Sequence, residues 1–322
     1  MSTRRPVRRV LVTGATGFVG GAVVRALADS GRHPVALVRS RQGLGGLHAL
    51  GATVVTGDMT EPATYRDVVA EVDAVVHAAQ TRVTGRVTAR ALAALARDDE
   101  VATSTLVEAC RAGGTRLVYT SGCLAYGDHG DAWVTEETPL APAPLSAGHT
   151  RQVRRLRQEA ARGLDVVVLH LGFVYGPGGT FQRVFYEQAR SGRLRTIGRG
   201  ANYWSVVHVD DAAAAYVAAL DYAPAGAEYN VVDDHPLRQR ELVDHLTDAV
   251  GKRRVGSVPV ALAGLVAGRA AALSLATSYR VSNRRARDEL GWTPAYPRFT
   301  DGLPVTVAAI EARVTPPRRG GR

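Results

Sequence analysis

Three glycines recur at a spacing of three residues in the stretch 13–20, which reads Thr-Gly-Ala-Thr-Gly-Phe-Val-Gly. The stretch follows an apolar run at 10–12 and opens an alanine-rich segment, so it predicts a strand, a tight turn and a helix. At such a turn, backbone N–H groups and the positive end of the helix face an anion, and glycine lets a pyrophosphate approach the backbone. An ordinary strand-to-helix turn is the alternative, but the context favours a phosphate-binding turn.

Beyond this turn, short apolar runs alternate with helical patterns, which is typical of a parallel, doubly wound sheet. We therefore predict an α/β fold of the Rossmann type with a smaller C-terminal substrate-binding lobe. The dinucleotide-binding core is predicted over 1–175, with segments around 203–235 returning to it, the lobe mainly over 176–314, and a disordered tail over 315–322. Strands are predicted at 10–12, 35–38, 53–56, 74–77, 116–120 and 166–170, and the longest helices at 91–109 and 150–162.

Composition narrows the class of protein. The chain has 322 residues, 46% of them hydrophobic, and a formal net charge of +10, but its arginines are scattered, which predicts solvated faces and no nucleic-acid partner. The apolar segment 258–276 is broken by Arg269 and by glycines, so buried helices are predicted there and no membrane span. No signal peptide is recognised, and Cys110 and Cys123 lack metal-site spacing, so a cytoplasmic protein without a metal is expected.

The residue that follows the second predicted strand indicates which dinucleotide binds. Arg39 lies 25 positions after Gly14 (39 minus 14), where an NAD-binding chain usually carries an acid for the ribose 2′-hydroxyl. A guanidinium group suits the 2′-phosphate of NADP, because it can bind a phosphate through two hydrogen bonds. NADPH is therefore the predicted cofactor, and a surface arginine in an arginine-rich chain is the alternative.

The chain resembles the extended short-chain dehydrogenase/reductase family, in its epimerase/dehydratase-like branch, because several motifs occur in the family's order. The resemblance covers nearly the whole chain and reaches a closing segment at 280–297. The motifs are the glycine turn, Gly-Asp-Met at 57–59, Asp-Ala-Val-Val-His-Ala-Ala at 73–79, Val-Tyr-Thr-Ser at 118–121, Phe-Val-Tyr-Gly-Pro-Gly at 173–178 and Val-His-Val-Asp-Asp at 207–211.

The resemblance implies cofactor contacts along these motifs. Asp58 would hold the adenine amine, Met59 would pack beside the ring, and residues 78–80 would line the cofactor between its pyrophosphate and its nicotinamide. Residues 171–174 would flank the nicotinamide, although His170 and Leu171 stand where the family has arginine and proline. Core packing is the alternative for the apolar positions. The full predicted set is Gly14, Thr16, Gly17, Phe18, Val19, Arg39, Asp58, Met59, Ala78, Ala79, Gln80, Thr120, Leu171, Gly172 and Val174.

The catalytic centre departs from the family pattern, in which a tyrosine, with a lysine four residues later, protonates the carbonyl oxygen. No tyrosine stands between Tyr126 and Tyr175, and Lys252 is the only lysine. Counting along the predicted helix puts Ser146 near the tyrosine position and Thr150 near the lysine position. The chain therefore lacks the usual general acid.

Ser121, Ser146 and His149 are the predicted catalytic residues. Ser121 adjoins the family's hydroxyl position, which falls on Gly122, and it either reaches a carbonyl or only completes its strand. His149 is one of the nearest titratable groups, with His170 and Tyr126. A buried structural role is the alternative for each of these three.

Losing a positioned general acid typically costs roughly 10² to 10⁴ in rate, so the loss must be offset or accepted. A substrate phenol beside the ketone could offset it by giving its own proton. In this respect the chain resembles tyrosine-less reductases that modify angucyclinone-type polyketides, which implies an NADPH-dependent ketoreductase of antibiotic biosynthesis. The alternatives are a non-catalytic NADP-binding regulator and, less well supported, a nucleotide-sugar epimerase or dehydratase.

An aromatic small molecule is the predicted partner, and the oligomeric state is left open. The motif at 208–211 is predicted to anchor a loop and to cap a helix over 212–220, because aspartate is a favoured N-cap. Flat substrates stack on aromatic side chains, and core packing of the lobe is the alternative for the densest aromatic cluster. That cluster comprises Phe181, Phe185, Tyr186, Tyr203 and Trp204.

Overall fold

A computed structural model describes residues 6–80, 85–253 and 255–314. Its centre is a parallel sheet whose valine- and leucine-rich strands are buried on both faces, as such short apolar runs predict. In chain order the strands are β1 (Arg9–Thr13), β2 (His33–Val38), β3 (Thr53–Thr56), β4 (Ala74–His77), β5 (Arg116–Gly122), β6 (Trp133–Val134), β7 (Val166–Leu171), β8 (Phe173–Tyr175), β9 (Thr196–Ile197), β10 (Tyr203–Trp204), β11 (Val206–His208), β12 (Glu228–Val231), β13 (Leu237–Arg238), β14 (Ser257–Val258) and β15 (Arg280–Val281).

The central sheet of the described chain has the order β12-β7-β5-β4-β1-β2-β3. The register sets Thr13 beside Leu37 of β2 and His77 of β4, so the carboxyl ends of these strands lie side by side. The chain runs outward from β1 to β3 on one side and from β4 to β12 on the other. In open α/β sheets, ligands bind outside the carboxyl ends of the strands at such a switch point.

Helices connect the strands. Short 3-10 turns at Pro62–Thr64, Cys123–Ala125 and Pro144–Ser146, and a π-helical turn at Phe181–Tyr186, lie between them. The α-helices are α1 (Phe18–Asp29), α2 (Gly45–Ala49), α3 (Arg66–Val69), α4 (Ala89–Gly113), α5 (Ala147–Ala161), α6 (Glu187–Arg190), α7 (Val209–Tyr222), α8 (Gln239–Ala249), α9 (Val260–Ala267), α10 (Arg269–Ala276), α11 (Arg284–Leu290) and α12 (Phe299–Val314).

Successive residues of each central strand face opposite sides of the sheet. In β1, Val10 and Val12 join the core formed with α1 and α7, whereas Leu11 joins the core formed with α4 and α5. Each side of the sheet is therefore covered by helices, and the predicted doubly wound α/β fold is confirmed.

A second apolar core lies in the later part of the chain. Phe181, Trp204, Leu242, Phe299 and Ile310 are buried together there. The short pairs β6–β15, β9–β14 and β10–β13 surround this core. The division of the chain into a dinucleotide-binding core and a substrate lobe stays a prediction, and the tail predicted at 315–322 lies outside the described residues.

Several predicted bounds differ from the structure. Strands β3 and β4 agree with their predicted bounds, but α4 begins earlier and ends later than predicted, because the Thr88 side chain caps its start and Gly114 ends it in the left-handed conformation. Helix α7 begins at Val209 and not at 212. Nδ1 of His208, rather than an aspartate, accepts the capping hydrogen bond.

The other role predicted for the same motif agrees with the structure. The carboxylate of Asp211 accepts hydrogen bonds from the backbone N–H groups of Ala295 (2.7 Å) and Tyr296 (3.0 Å). Asp211 therefore fastens the closing segment to the start of α7.

Residues 258–276 form β14 and two short helices, α9 and α10, rather than buried helices throughout. The prediction of burial is wrong for this hairpin, because Leu265 is 68% exposed and Val266 is 80% exposed. Gly268 separates the two helices with a φ of +96°, a conformation that favours glycine. Across the described ranges, no helix has both the length and the apolar character needed to span a membrane.

Candidate active site

The glycine turn joins β1 to α1 in a conformation that excludes side chains. Gly14 has a φ of +70°, and a Cβ atom there would lie 2.7 Å from Cα of Ala79. The N–H of Gly17 donates to the Gly14 carbonyl (2.7 Å), and a Cβ on Gly17 would lie 2.9 Å from the same oxygen. The turn is therefore compact, and α1 starts close against the strand ends.

The start of α1 offers free backbone N–H groups. Gly17 is its N-cap in an extended conformation, no side chain among the described residues caps it, and its first turn carries no acidic residue. Thr16 is exposed, and Val19 is half-buried behind it. A pyrophosphate fits such an end, because the N–H groups and the helix dipole both favour an anion.

Phe18, the first residue of α1, packs against a glycine-rich loop. Cβ atoms placed on Gly176 and Gly178 would lie 3.2 and 2.9 Å from its ring. Glycines in the Tyr-Gly-Pro-Gly motif thus let the chain after β8 approach the phosphate-binding turn. The ring of Phe18 therefore lies between the phosphate-binding turn and the glycine-rich loop after β8.

The predicted adenosine-binding residues follow β2 and β3. Arg39 is exposed directly after β2, and Nε of Arg41 donates to Oγ1 of Thr56 (3.2 Å). Oδ1 of Asp58 accepts hydrogen bonds from the backbone and the hydroxyl of Thr60, which lower the pKa of this carboxyl. Met59 is half-buried beside it. The two arginines and the carboxylate occupy neighbouring strand ends, where a phosphorylated ribose and an adenine could be held.

The loop after β4 is tied to the end of β1. The backbone N–H of Ala79 donates to Oγ1 of Thr13 (3.2 Å), which also lies 2.8 Å from Nδ1 of His77. Ala78 and Ala79 are half-buried and Gln80 is exposed. These three residues therefore lie next to the glycine turn, as the prediction of their cofactor contacts requires.

The residues that are predicted to lie near the nicotinamide differ in their surroundings. Thr120 is turned towards α7, since its Oγ1 lies 2.5 Å from the hydroxyl of Tyr216. Leu171 is buried, and Gly172 and Val174 are half-buried. A Cβ on Gly172 would lie 2.5 Å from the carbonyl oxygen of Ser205, so only glycine fits between β7 and β8.

The first turn of α5 holds Ser146 and Thr150 in place of the tyrosine and lysine. Both are buried, and their side-chain oxygens are 3.4 Å apart. The Thr150 hydroxyl donates to the Ser146 carbonyl oxygen (2.8 Å). Two hydroxyls in this arrangement provide no cation and no acidic group.

Ser121 lies near the end of β5, and its Oγ is buried with no hydrogen-bond partner among the described residues. It is paired in register with His170 of β7. His170 is itself engaged, because its Nε2 lies 2.8 Å from Oε2 of Glu228. Burial raises the pKa of Glu228, but hydrogen bonds from Arg157 and His170 outweigh it and lower that pKa to about 2. His170 is thus part of a buried hydrogen-bond network with Glu228.

Tyr126 is unsuited to proton donation. It is buried, its hydroxyl donates to Oδ1 of Asn230 (2.8 Å), and burial raises its pKa far above the ordinary value for tyrosine. Of the titratable groups proposed from the sequence as substitute acids, His149 is the one that is partly exposed, at 27% of its side chain.

His149 belongs to a polar cluster that the sequence did not indicate. Its Nδ1 lies 3.0 Å from Oδ2 of Asp99 in α4, and the hydroxyl of Tyr119 donates to the same carboxylate (3.1 Å). Burial raises the pKa of Asp99, yet the hydrogen bond from His149 and the nearby ring of His77, whose Nε2 is 3.9 Å from Oδ1, outweigh burial and hold that pKa well below its ordinary value. Asp99 is therefore ionised. Sequence offered no signal for this residue, since it is one of several acids on a long helix and only the folded chain encloses its side chain, which is 8% exposed.

The predicted substrate-stacking residues are mostly interior. Phe181, Phe185, Tyr186 and Trp204 are buried in the second core, which favours core packing for these four. Tyr203 is half-buried, with the Arg238 guanidinium 4.4 Å and the Arg280 guanidinium 5.1 Å from its ring centroid.

The α9–α10 hairpin lies where the sequence placed no site residue. The N–H of Val87 donates to the carbonyl of Ala267 (2.9 Å), and the N–H of Leu145 donates to Oγ of Ser274 (3.0 Å). The hairpin thus contacts both the segment before α4 and the segment before α5. Leu265, Val266 and Leu273 of the hairpin are exposed apolar side chains.

The model of the NAD-dependent epimerase/dehydratase family matches residues 10–232. A 3-diazoavenalumate denitrifying reductase of a Streptomyces species is 34% identical over 92% of this chain and 99% of that protein. A 2-alkyl-3-oxoalkanoate reductase of Stenotrophomonas maltophilia is 32% identical over 85% of this chain and 81% of that protein.

Solved structures with the same architecture were also found. A double mutant of DesIV, a dTDP-glucose 4,6-dehydratase of Streptomyces venezuelae, was solved with NAD bound. It matches with a TM-score of 0.79 at 26% identity, over 97% of this chain and 98% of that one.

Proposed function

The chain belongs to the NAD-dependent epimerase/dehydratase family, and from this premise we propose that it is a reductase that transfers a hydride from NADPH to an aromatic small molecule. The acceptor is a ketone flanked by a phenol, as in polycyclic aromatic polyketides. The extended short-chain dehydrogenase/reductase membership and the two reductases among its relatives support the general class. The substrate and the choice of NADPH are the finer parts of this proposal.

The first turn of α5 is the observation that carries the proposal. Ser146 and Thr150 are buried there and hydrogen-bonded to each other, at the positions that we assign to the family's acid and cation. Reduction of an ordinary ketone needs a proton, and lack of a positioned donor costs roughly 10² to 10⁴ in rate. A phenol next to the ketone removes this need, because its proton is already hydrogen-bonded to the carbonyl oxygen.

The residues of this chain would bind and orient the reactants. The N–H groups at the start of α1 would hold the pyrophosphate, and Arg39 would bind the 2′-phosphate. When bound, the reduced nicotinamide supplies the hydride. Leu171 and Val174 would pack beside its ring, and the Ser121 hydroxyl, which has no partner among the described residues, is available to donate to the acceptor oxygen.

The hydrogen bond from the Ala79 N–H to Oγ1 of Thr13 supports this orientation. It holds the start of the loop after β4 next to the glycine turn, where the dinucleotide would lie. The α9–α10 hairpin adds apolar surface next to α5, which suits a flat aromatic ligand. Tyr203 and the exposed apolar residues of the hairpin, rather than the buried aromatic cluster, are therefore the better candidates for substrate contact.

Reductive removal of a diazo group is a second candidate. The specific observation is the relative named a 3-diazoavenalumate denitrifying reductase, which matches over 99% of its length. Hydride addition to the terminal nitrogen of an aryl diazonium ion gives Ar–N=N–H. Cleavage of the C–N bond, with transfer of the N–H hydrogen to the ring carbon, then releases dinitrogen, so that Ar–N₂⁺ and NADPH become Ar–H, N₂ and NADP⁺. This step uses no proton from the protein, so it too is compatible with a site without tyrosine and lysine.

A non-catalytic NADP-binding regulator would share the cofactor site but not the reaction. A nucleotide-sugar epimerase or dehydratase would need acid–base work on a sugar that has no acidic group of its own, and the first turn of α5 offers none. The regulator would bind NADPH without oxidising it, and the epimerase or dehydratase would act on a nucleotide sugar. The compounds consumed therefore distinguish both alternatives from the reductase.

Stopped-flow measurement of NADPH oxidation tests the proposal. The acceptors are a ketone with an adjacent phenol, an aryl diazonium salt, and a nucleotide sugar. Consumption of NADPH with the phenolic ketone supports the ketoreductase, and N₂ release with the diazonium salt supports the second candidate. Tight NADPH binding without oxidation by any acceptor would contradict both and favour the regulator.

A further inference from the structure

The α9–α10 hairpin turns large apolar side chains to the outside of the protein. Leu262, Leu265 and Val266 lie at helical spacing on one side of α9, and they are 53%, 68% and 80% exposed. The small side chains of Ala263 in α9 and Ala272 in α10 are buried instead. In water, burial of the larger apolar side chains would be the more favourable arrangement, so the exposed side of α9 indicates a partner that is itself apolar or interfacial.

The exposed side of α9 also lacks the charges of an ordinary surface helix. The segment 255–268 contains no charged residue, and Ser257 is its one residue with a polar side chain. A helix on the surface of a protein in water usually carries charged or polar residues on its outer side. The outer side of α9 is therefore suited to a less polar environment than water.

Cations flank the hairpin at both ends. Lys252 and Arg253 precede β14, which leads into α9, and Arg269 begins α10 at the turn between the two helices. Arg199 follows β9, the strand that pairs with β14. All four side chains are exposed, and none of the four forms an ion pair among the described residues.

Acidic residues are missing from this part of the sequence. The stretch 249–287 contains no aspartate and no glutamate, so all 30 acidic residues of the chain lie outside it. Elsewhere in the fold, acids compensate arginines, as Glu228 does for Arg157. The positive charge around the hairpin is thus uncompensated, and it complements an anionic surface.

We propose that the exposed side of α9, formed by Leu262, Leu265 and Val266, docks the protein on an anionic phospholipid membrane. The apolar side chains would enter the headgroup region, and the four flanking cations would contact lipid phosphates. The hairpin would lie on the membrane and not cross it, since no helix within the described ranges is long and apolar enough to span one.

A second copy of this chain fits the exposed side of α9 less well than lipid does. Contact between two copies through the same face would bring like charges together, because cations flank that face at both ends. The proposed substrate contact of the hairpin is compatible with membrane docking, since a flat apolar substrate would dissolve in the same lipid. The inference itself goes beyond the proposed function and needs neither cofactor nor substrate.

Co-sedimentation of the full chain with lipid vesicles tests the proposal. The protein should bind vesicles of phosphatidylglycerol and phosphatidylcholine at least about tenfold more tightly than vesicles of phosphatidylcholine alone, because each cation near an anionic surface strengthens binding about fivefold. Raising the salt concentration from about 0.1 M to about 0.5 M should weaken this binding, since added salt screens the attraction.

Two variants separate the apolar part of the contact from the electrostatic part. The double change Leu265→Ser and Val266→Ser keeps the net charge and should weaken binding to the anionic vesicles at least about tenfold, because two large side chains no longer enter the lipid. Arg253→Gln should weaken it about fivefold. The matched controls are Val305→Ser, at an exposed valine of α12, and Arg66→Gln, at an exposed arginine of α3, and both should bind within about twofold of the parent protein.

Absence of binding to the anionic vesicles would overturn the proposal. Unchanged binding in the double serine variant would also overturn it, since the contact would then come from charge elsewhere on the chain. Sedimentation velocity without lipid covers the other occupant: a dimer that dissociates in the double serine variant, with no vesicle binding by the parent, would assign this face to a second copy. Failure of the proposed reductase to oxidise NADPH would change none of these results, so the two proposals fail separately.

Discussion

The hydroxyl of Thr150 donates a 2.8 Å hydrogen bond to the carbonyl oxygen of Ser146, and so closes the first turn of α5 on itself. Both residues are buried, and neither side chain carries an ionisable group. A bound ketone could not draw a proton from this pair at a useful rate. Under the proposed function the proton of the reduction comes from the substrate, which makes the nature of the substrate part of the mechanism.

Cofactor choice is expected to depend on Arg39. In Arg39→Asp, the guanidinium that would bind the 2′-phosphate becomes a carboxylate that repels it and can accept from a ribose hydroxyl. NADPH should bind at least about tenfold more weakly, and NADH should bind as tightly as before or more tightly. Calorimetry with both dinucleotides measures this. Arg284→Asp changes the net charge equally at an exposed residue of α11 and should leave the preference unchanged.

Equal affinities of the parent protein for NADPH and NADH would show that Arg39 does not contact a 2′-phosphate. An unchanged preference in Arg39→Asp would lead to the same conclusion. Arg41 would then be the next residue to test, because it lies beside Arg39 at the end of β2 and is held by Thr56.

Gly17 is expected to be essential for cofactor binding, and Gly21 is its matched control. A Cβ on Gly17 would lie 2.9 Å from the Gly14 carbonyl, whereas one on Gly21 would lie 3.4 Å from the Ala15 carbonyl, an ordinary contact. Gly17→Val should lower the affinity for NADPH at least about tenfold, because the branched side chain fills the space of the pyrophosphate. Gly21→Ala should keep the affinity and raise helix stability by about 0.5–1 kcal/mol.

Circular dichroism should show that Gly17→Val remains folded at the temperature of the binding measurement. A folded Gly17→Val protein with unchanged affinity would mean that the dinucleotide binds elsewhere on the chain. A drop in affinity in both variants would mean that α1 as a whole, and not the turn, is sensitive to added side chains.

Stability is expected to fall as the pH rises, through Asp233. Burial raises the pKa of this carboxyl to about 9, and its Oδ2 has no hydrogen-bond partner among the described residues. Between pH ~4 and pH ~9 the folded chain keeps a proton that the unfolded chain releases, so each pH unit lowers the free energy of unfolding by up to about 1.4 kcal/mol. Asp233→Asn should remove this loss. Its advantage over the parent should grow from pH 5 to pH 8 in urea unfolding.

Asp234 provides the opposite case next to Asp233. Burial raises its pKa, but the bonds from Arg287 and Asn283 outweigh burial and lower it below the ordinary value. The stabilisation by Asp234 is therefore present above pH ~4 and is lost at lower pH, so Asp234→Asn should cost stability at pH 7 and less at pH 3.

Parallel pH curves of the free energy of unfolding for the parent and Asp233→Asn would contradict the assignment of a proton to Asp233.

Hydrophobic patterns in the sequence predicted the central sheet. The bounds of β3 and β4 agree with the predicted runs, since β3 is followed by Gly57 and Asp58 and β4 ends at His77. The start of α4 was missed because its cap, Thr88, precedes the apolar pattern. Hydrophobic periodicity reports burial, and caps are set by single side chains that the pattern does not include.

The cluster around His149 could not be predicted, since Asp99 and His77 are distant from it in sequence and meet it only in the folded chain. The aromatic cluster illustrates the opposite limit. Composition could not separate pocket from core, and packing buries Phe181 and Trp204. The positions of charges and hydroxyls around a groove therefore depend on tertiary contacts.

A substrate-assisted reduction has a distinctive dependence on the substrate. With NADPH bound, an aromatic ketone beside a free phenol should be reduced, whereas its O-methylated analogue should react at least about a hundredfold more slowly, because the ether has no proton to give. Single-turnover hydride transfer at saturating substrate separates this effect from weaker binding of the ether. The pH profile should follow ionisation of the substrate's phenol, since the phenolate can no longer act as an acid.

The protein side of the same prediction concerns Ser121, Ser146 and His149. Single changes to alanine should lower the hydride-transfer rate by less than about a hundredfold, because none of the three is the obligatory proton donor. Ser121 should have the largest effect, since its buried hydroxyl has no other partner in the described chain and can orient the acceptor oxygen. Equal rates for the phenol and its ether, or complete inactivation by one substitution with NADPH binding intact, would instead identify a proton donor within the protein.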